Sequence, residues 1–344
     1  MATSSDNRRT VTIAEISTLA GVSVPTVSKV LNGRADVAAS TRARVEAILE
    51  EHSYRRRRGR GSGDPNLIDL VFHHFDNAWA QEVIKGVEDA AAAHRVGVVL
   101  SELGGSHRPQ QELIDDILAR RPLGVLLVLS SLDATQRHQL ESRSIPFVVV
   151  DTWGEPPAGV PTVGSNNWNG GLIATRHLLS LGHRRIAVIA GPPDVLCSRA
   201  RVDGYRSALE EAGIRPDPEL VRWGDFHVDG GYQHGLELLS RADRTTAIFA
   251  GSDYQSLGVM RAVRELGLSI PEDVSVVGYD DIPLAQWLGP SLTTVRQPLR
   301  EMAGTATEMV LSLAAGQHPA NLRIDLATEL VVRESTAPAP AGTV

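Results

Sequence analysis

One cysteine among 344 residues, Cys197, leaves no partner for an internal disulfide and no thiolate set for structural zinc, so a small buried side chain is its expected part. Aromatic residues are also scarce, at 4%. No apolar run reaches the length of a membrane span, and the polar start MATSSDNRRT lacks the apolar stretch of a signal peptide, which makes the cytoplasm the expected compartment. Catalytic signatures are missing too. There is no Gly-x-Ser-x-Gly elbow, no Gly-Lys-Ser/Thr phosphate loop and no His-Glu-x-x-His, and Gly59, Gly61 and Gly63 lie in an arginine-rich stretch instead of following a strand. No spaced His/Cys set supports a metal, so neither metal nor cofactor is expected.

What is present is ordinary soluble composition, 42% hydrophobic and 22% charged, in a chain too long for one core. The net charge of -7 is unevenly placed. Residues 1–63 carry +5 and the remainder carries -12. A basic head can grip phosphates while an acidic body is repelled, so an acidic total does not exclude DNA.

Thr12 to Gly33 reads as two short helices around a tight turn. Ile13, Ile16, Leu19 and Ala20 fall on one side of the first, and Val27, Val30 and Leu31 on one side of the second. Thr12 with Glu15 forms a capping-box pattern, Gly21 permits the bend, Ser23 can cap the second helix, and Pro25 sits in a first turn. A helix-turn-helix is encoded. Thr-Ile-Ala-Glu-Ile, Ala-Gly-Val-Ser and Thr-Val-Ser-Lys-Val-Leu-Asn-Gly resemble the N-terminal signature of the lactose-repressor (LacI/GalR) family of bacterial transcription regulators.

A third helix is expected from Ser40 to His52, with Val45, Ile48 and Leu49 closing the small core and Arg42 and Arg44 either facing phosphates or solvated. The head is taken as residues 1–54, ending at Tyr54, which resembles the family tyrosine that packs beneath it. Residues 55–66 form an Arg/Gly-rich linker, opening RRRRGRGSG. The family usually has a hinge helix here with a leucine that wedges into the minor groove. The linker here has no leucine before Leu67, so Arg55, Arg56, Arg57 and Arg58 are expected to hold DNA instead.

From Leu67 onwards β-branched runs alternate with amphipathic segments, the pattern of doubly wound α/β lobes whose ligands bind at the carboxyl ends of the strands. Strands are expected at Leu67 to Phe72, Val96 to Ser101, Gly124 to Leu129, Phe147 to Val150, Ile186 to Ala190, Ala247 to Ala250 and Val274 to Tyr279. LSLGHRRIAVIAGP, RVDGYRSALEEAG, VSVVGYDD and SLTTVRQPLREMAGTA continue the resemblance over almost the whole chain. The family fold implied is an all-α helix-turn-helix head on an α/β body of two periplasmic-binding-protein-like lobes. The body spans 67–334, with lobes near 67–164 plus 296–325 and 165–295 plus 326–334. STAPAPAGTV, residues 335–344, reads as a disordered tail without leucine heptads, which favours a dimer over a tetramer.

In a recognition helix of this kind Val24, Pro25 and Lys29 are the exposed candidates, and by resemblance they stand at the base-reading positions. Lys29 can donate to guanine, and the other two offer apolar contact. Thr12, Ser23, Thr26, Ser28 and Asn32 are candidate phosphate partners, with capping an equal alternative. In the body Trp79, Trp153 and Trp287 occupy loops suited to a sugar face, accompanied by Asp76, Asp151, His73 and His74. Arg201 and Asp280 match the family residues that grip effector hydroxyls, Phe226 a common aromatic position, and Ser252 with Asp253 the usual Asn-Asp pair. The resemblance therefore implies a regulator, most simply a repressor of carbohydrate-utilisation genes. It would bind a palindromic double-stranded operator as a homodimer and be released by a sugar or oligosaccharide. The alternatives are a sugar-binding protein or a sugar-acting enzyme with a non-specific nucleic-acid anchor.

Overall fold

Thr12 opens the first helix through a capping box: its hydroxyl accepts the Glu15 N–H at 3.3 Å, and the Glu15 carboxylate accepts the Thr12 N–H at 2.7 Å. The computed structural model describes residues 11–31, 37–52, 66–104, 107–152 and 154–340. Helix α1 (Ile13–Ala20) stops at Gly21, whose left-handed φ of 63° suits a residue without a Cβ. Helix α2 (Val24–Leu31) follows, with Ser23 Oγ accepting the Thr26 N–H at 3.3 Å. Helix α3 (Ala39–Glu51) completes the head. Ile16, Ala20, Val27, Val30 and Val45 are buried together, with Ile13, Ile48 and Leu49 packed against them as the sequence spacing predicts, but Leu19, expected on the same face of α1, is 55% exposed.

The body contains two six-stranded sheets. The first is built from β1 (Leu67–Phe72), β2 (Gly97–Glu102), β3 (Val125–Val128), β4 (Phe147–Val150) and β5 (Thr162–Ser165), then completed by a much later strand, β11 (Arg323–Leu326). Its order is β11-β5-β4-β3-β1-β2 and every pairing is parallel. Helices α4 (Ala78–Ala93), α5 (Gln111–Arg120) and α6 (Ala134–Ser142) alternate with these strands. The second sheet holds β6 (Ile186–Ala190), β7 (Val221–Trp223), β8 (Ala247–Ala250), β9 (Ser275–Asp280), β10 (Thr293–Arg296) and β12 (Glu329–Val331). Its order is β12-β10-β9-β8-β6-β7, with only β12 antiparallel. Helices α7 (Asn167–Ser180), α8 (Leu196–Glu211), α9 (Val228–Leu239) and α10 (Asp253–Glu265) flank it.

Helix α11 (Leu299–Ala314) leaves the second sheet and returns to the first lobe, where Leu299, Met302, Ala303, Ala306, Met309 and Val310 join the core against β1, β3 and β4. The chain thus passes between lobes at Ser165–Asn167, at Arg296–Leu299 and at Leu326–Glu329. Helices α7 and α8 pack so closely that a Cβ on Gly204 would overlap the Trp168 carbonyl, and one on Gly171 the Arg201 carbonyl.

The tail is a correction to the sequence reading. Ser335 to Ala339 do not hang free but lie stitched to the second lobe. Ser335 is fully buried; its hydroxyl donates to the Val276 carbonyl at 2.6 Å and accepts the Thr293 N–H at 2.8 Å. His183, buried in turn, reaches Thr246, Ser275 and the Ala337 carbonyl. A low-complexity composition lacks apolar anchors, but backbone and hydroxyl bonds to a sheet hold such a segment equally well.

Candidate nucleic-acid interface and ligand cleft

Helix α2 buries Val27 and Val30 and turns Val24, Pro25 and Lys29 outwards, with Val24 at 40% exposed. That face carries the three side chains read as base contacts. Of the phosphate candidates, Thr12 and Ser23 are exposed but engaged locally: Thr12 in its capping box, Ser23 Oγ against Thr26 Oγ1 at 2.8 Å. A phosphate oxygen needs a donor: Ser23 keeps its proton for one when Thr26 Oγ1 donates in their pair, whereas Thr12 already donates its own to Glu15 Oε2 at 3.0 Å and must exchange that bond for one to phosphate. Ser28 is half-buried on the same helix. Asn32, Tyr54 and Arg55 to Arg58 lie outside the described residues.

Between the lobes is a cleft of about 290 Å³, lined from the carboxyl ends of β1, β3, β4, β7, β8 and β9 and from α4 and α8. This is where parallel α/β sheets leave room for a ligand. Leu129, Asp151, Phe226 and Asp280 line it with φ of 48°, 52°, 66° and 114°, a left-handed backbone that non-glycine residues hold only when their surroundings enforce it.

Arg201, 4% exposed on α8, is the centre of the site. Its Nε donates to Asn167 Oδ1 at 2.8 Å and an Nη to the Gly251 carbonyl at 2.5 Å. The guanidinium carbon lies 3.7 Å from the Tyr279 ring centroid and 5.3 Å from that of Phe226, so two aromatic faces hold the fork in one plane. Asp280 accepts from Gln297 Nε2 at 2.6 Å, and Gln297 Oε1 accepts from Ser165 Oγ at 2.6 Å, at a crossing between the lobes. Burial pushes the Asp280 carboxyl up to about 7, against the pull of Arg201 and Gln297. Asp151 is raised by burial too, with Arg201 again opposing. Burial lifts the Cys197 thiol to about 12, so it is no thiolate nucleophile at neutral pH.

Six predicted residues are brought together here: Trp79, Asp151, Arg201, Phe226, Ser252 and Asp280 all line the cleft. Ser252 also caps α10 and donates to the Phe226 carbonyl at 2.8 Å. Three others fall elsewhere. Asp253 is buried and accepts from Thr294 Oγ1 at 2.6 Å and the Ile282 N–H at 2.8 Å, which makes it a fastening of the second lobe. Trp287 is 78% exposed outside the cleft, and Asp76 is exposed on the loop before α4 without lining it. Trp153 lies outside the described residues.

The sequence reading passed over Asn77, His107, Asp225, His227 and Tyr254 as cleft residues. The signal for them was their place: each follows a strand or opens a helix on the cleft side. His107 stacks on His73 with centroids 3.8 Å apart and is held towards its neutral form chiefly by burial. Among the described residues no group of three or more His, Cys, Asp or Glu is arranged to hold a metal, and no helix is long and apolar enough to cross a membrane.

Residues 12–57 match the model of bacterial regulatory proteins of the lacI family, and residues 175–336 match a periplasmic binding protein-like domain. The transcriptional regulator CelR of Thermobifida fusca is 35% identical over 347 residues, covering 96% of this chain and 99% of that protein. The chain belongs to the LacI family. The transcriptional repressor PurR of Vibrio vulnificus is 32% identical over 328 residues, 94% of this LacI-family chain and 98% of its own length. A CelR–cellobiose complex superposes with a TM-score of 0.72 at 34% identity, covering 94% of this chain and 99% of the other. The lac repressor dimer bound to operator and the anti-inducer ONPF gives 0.69 at 28% identity, covering 96% and 100%. This LacI-family protein is therefore a helix-turn-helix transcription regulator and not an enzyme.

Proposed function

We propose that the protein is a repressor of carbohydrate-utilisation genes that binds a palindromic operator as a homodimer, in the cytoplasm, and releases it when a small sugar or oligosaccharide occupies the cleft. The observation that carries the effector half is the Arg201 fork, fixed between Tyr279 and Phe226 and flanked by Asp151 and Asp280, with Trp79 across the cleft. Aromatic faces cover the C–H surface of a sugar, and a fork with carboxylates pairs with neighbouring hydroxyls. The cellobiose held by the CelR relative supports a glucose-based oligosaccharide as the first compound to try.

On the DNA side Lys29 donates to a guanine edge, with Val24 and Pro25 against thymine methyls, and Thr12, Ser23, Thr26, Ser28 and Asn32 contact phosphates. Each good bidentate contact gives about 1–3 kcal/mol of discrimination, so two heads on a two-fold site are needed for useful specificity. Arg55 to Arg58 add phosphate or minor-groove contacts in place of a leucine wedge. Release requires that the sugar bind one lobe arrangement better than the other.

The test is to incubate the purified protein with fragmented DNA of its source organism and sequence what stays bound. Enrichment of a palindrome, released by sugars whose utilisation genes lie beside it, is the expected outcome; bound DNA without a shared sequence refutes the operator reading. Alanine at Arg55 to Arg58 should then lower the salt slope by roughly 0.9 for each phosphate that the linker no longer neutralises, and an unchanged slope removes the linker from the interface.

A further inference from the structure

Helices α4, α8, α9 and α10 all begin at the cleft, and helix starts are ordinary seats for a phosphate or carboxylate. At α4 and α10 the protein's own side chains fill those seats, while α8 and α9 start without a side-chain cap and meet a nearby carboxylate instead. The Ala78 N–H at the start of α4 donates across the cleft to Tyr254 Oη at 2.9 Å, and the Ala80 N–H to Asn77 Oδ1 at 2.9 Å. At α10 the Gln255 N–H is taken by Ser252 Oγ at 3.0 Å. Before α9 the Asp225 carboxylate accepts the His227 N–H at 2.9 Å and crowds Gly230 so closely that a Cβ there would overlap it. The first turn of α8, at Cys197, lies in the field of buried Asp151.

The cation is balanced in the same way. Arg201 is the one arginine or lysine among the described lining residues, and it shares the cleft with the buried carboxyls of Asp151 and Asp280, whose charges act on it. Two of its five N–H donors are committed to Asn167 and Gly251, which leaves hydrogen-bonding capacity for hydroxyls, while the three lining carboxyls of Asp151, Asp225 and Asp280 outnumber the one guanidinium. Four histidines also line the cleft, His73, His74, His107 and His227. His74 Nδ1 lies 2.8 Å from the Glu102 carboxylate, and His107 is turned towards its neutral form by burial.

We infer that the cleft takes an uncharged, hydroxyl-rich ligand and excludes its phosphorylated and carboxylated forms, with Asp151, Asp225 and Asp280 setting that specificity. The hydroxyl-rich part rests on the sugar reading above; the exclusion of anions stands on the cleft's own charges.

The experiment is calorimetric titration of the full-length protein with cellobiose and glucose, each beside its 6-phosphate, and separately with millimolar inorganic phosphate. At least one neutral sugar should bind on the order of 100-fold tighter than its phosphate ester, and phosphate alone should give no Arg201-dependent heat. Asp225→Asn should raise the ester-to-neutral affinity ratio by about tenfold. An ester that binds as tightly as its neutral parent, or phosphate binding that disappears in Arg201→Met, overturns the exclusion. If neither sugar nor ester binds and phosphate also fails, the exclusion stands and the sugar reading falls.

Discussion

Replacing Arg201 with methionine tests the charge balance of the cleft through the pH dependence of stability. The substitution keeps an unbranched stem but removes the donors to Asn167 and Gly251 and the cation stacked on Tyr279. Stripping the partner from a buried charge network costs about 3–5 kcal/mol where the remaining charges stay ionised. They need not stay so. Asp280 is pushed from 3.8 up to about 7 by burial, so the folded protein holds a proton that the unfolded chain has released. That contribution to stability is complete below the unfolded value, declines as pH rises, and is gone once pH passes the folded value near 7. Without Arg201, which pulls Asp280 and Asp151 down, both stay protonated to higher pH and the decline continues where the wild type has levelled. Each further pKa unit is worth about 1.4 kcal/mol, so the penalty of the variant should grow by about 2 kcal/mol from roughly pH 6.5 to pH 8.5. Urea unfolding of both proteins across that range measures it. A penalty independent of pH would refute the pull of Arg201 on the two buried carboxyls.

Other outcomes follow from single contacts. Gly204→Ala should destabilise the second lobe by about 1–3 kcal/mol in chemical unfolding, since the new methyl meets the Trp168 carbonyl of α7. Ser335→Ala should cost about 1–3 kcal/mol by the same measurement, because the buried Val276 carbonyl and Thr293 N–H lose their partner; no cost would return the tail to the loose segment that its composition suggests. Thr12→Ala removes one half of the capping box and should weaken operator binding in fluorescence anisotropy through about 1 kcal/mol of head stability, with faster amide exchange at Glu15 as its signature.

The central strands were legible because they are buried on both faces and spell it in their residues, as Val125 to Val128 and Phe147 to Val150 do. β5, β7, β10, β11 and β12 were not read as strands. They are short and carry Thr, Gly, Arg and Glu, and it is the backbone of a neighbouring strand that selects their conformation. The cleft shows the same division. Arg201 and Asp280 could be placed from family motifs, whereas Asp253 stands beside Ser252 in sequence yet points its carboxylate into the lobe, towards Thr294 and Ile282. Tyr254, one residue further, reaches the other lobe at Ala78. A string of residues fixes which side chains share a loop, but the first turn of a helix sends successive side chains in different directions.

The late return of α11 and β11 to the first lobe separates the order of synthesis from the order of folding. A ribosome has made β1 to β5 long before it makes Leu299, Met302, Ala306 and Val310, so the hydrophobic layer those residues cover stays open until nearly the whole chain has emerged. The second lobe has all but its last strand by Arg296. The half that is translated later is thus the first able to close, and a nascent chain stalled before Leu299 would present the apolar face of the first sheet to chaperones rather than to its own helix.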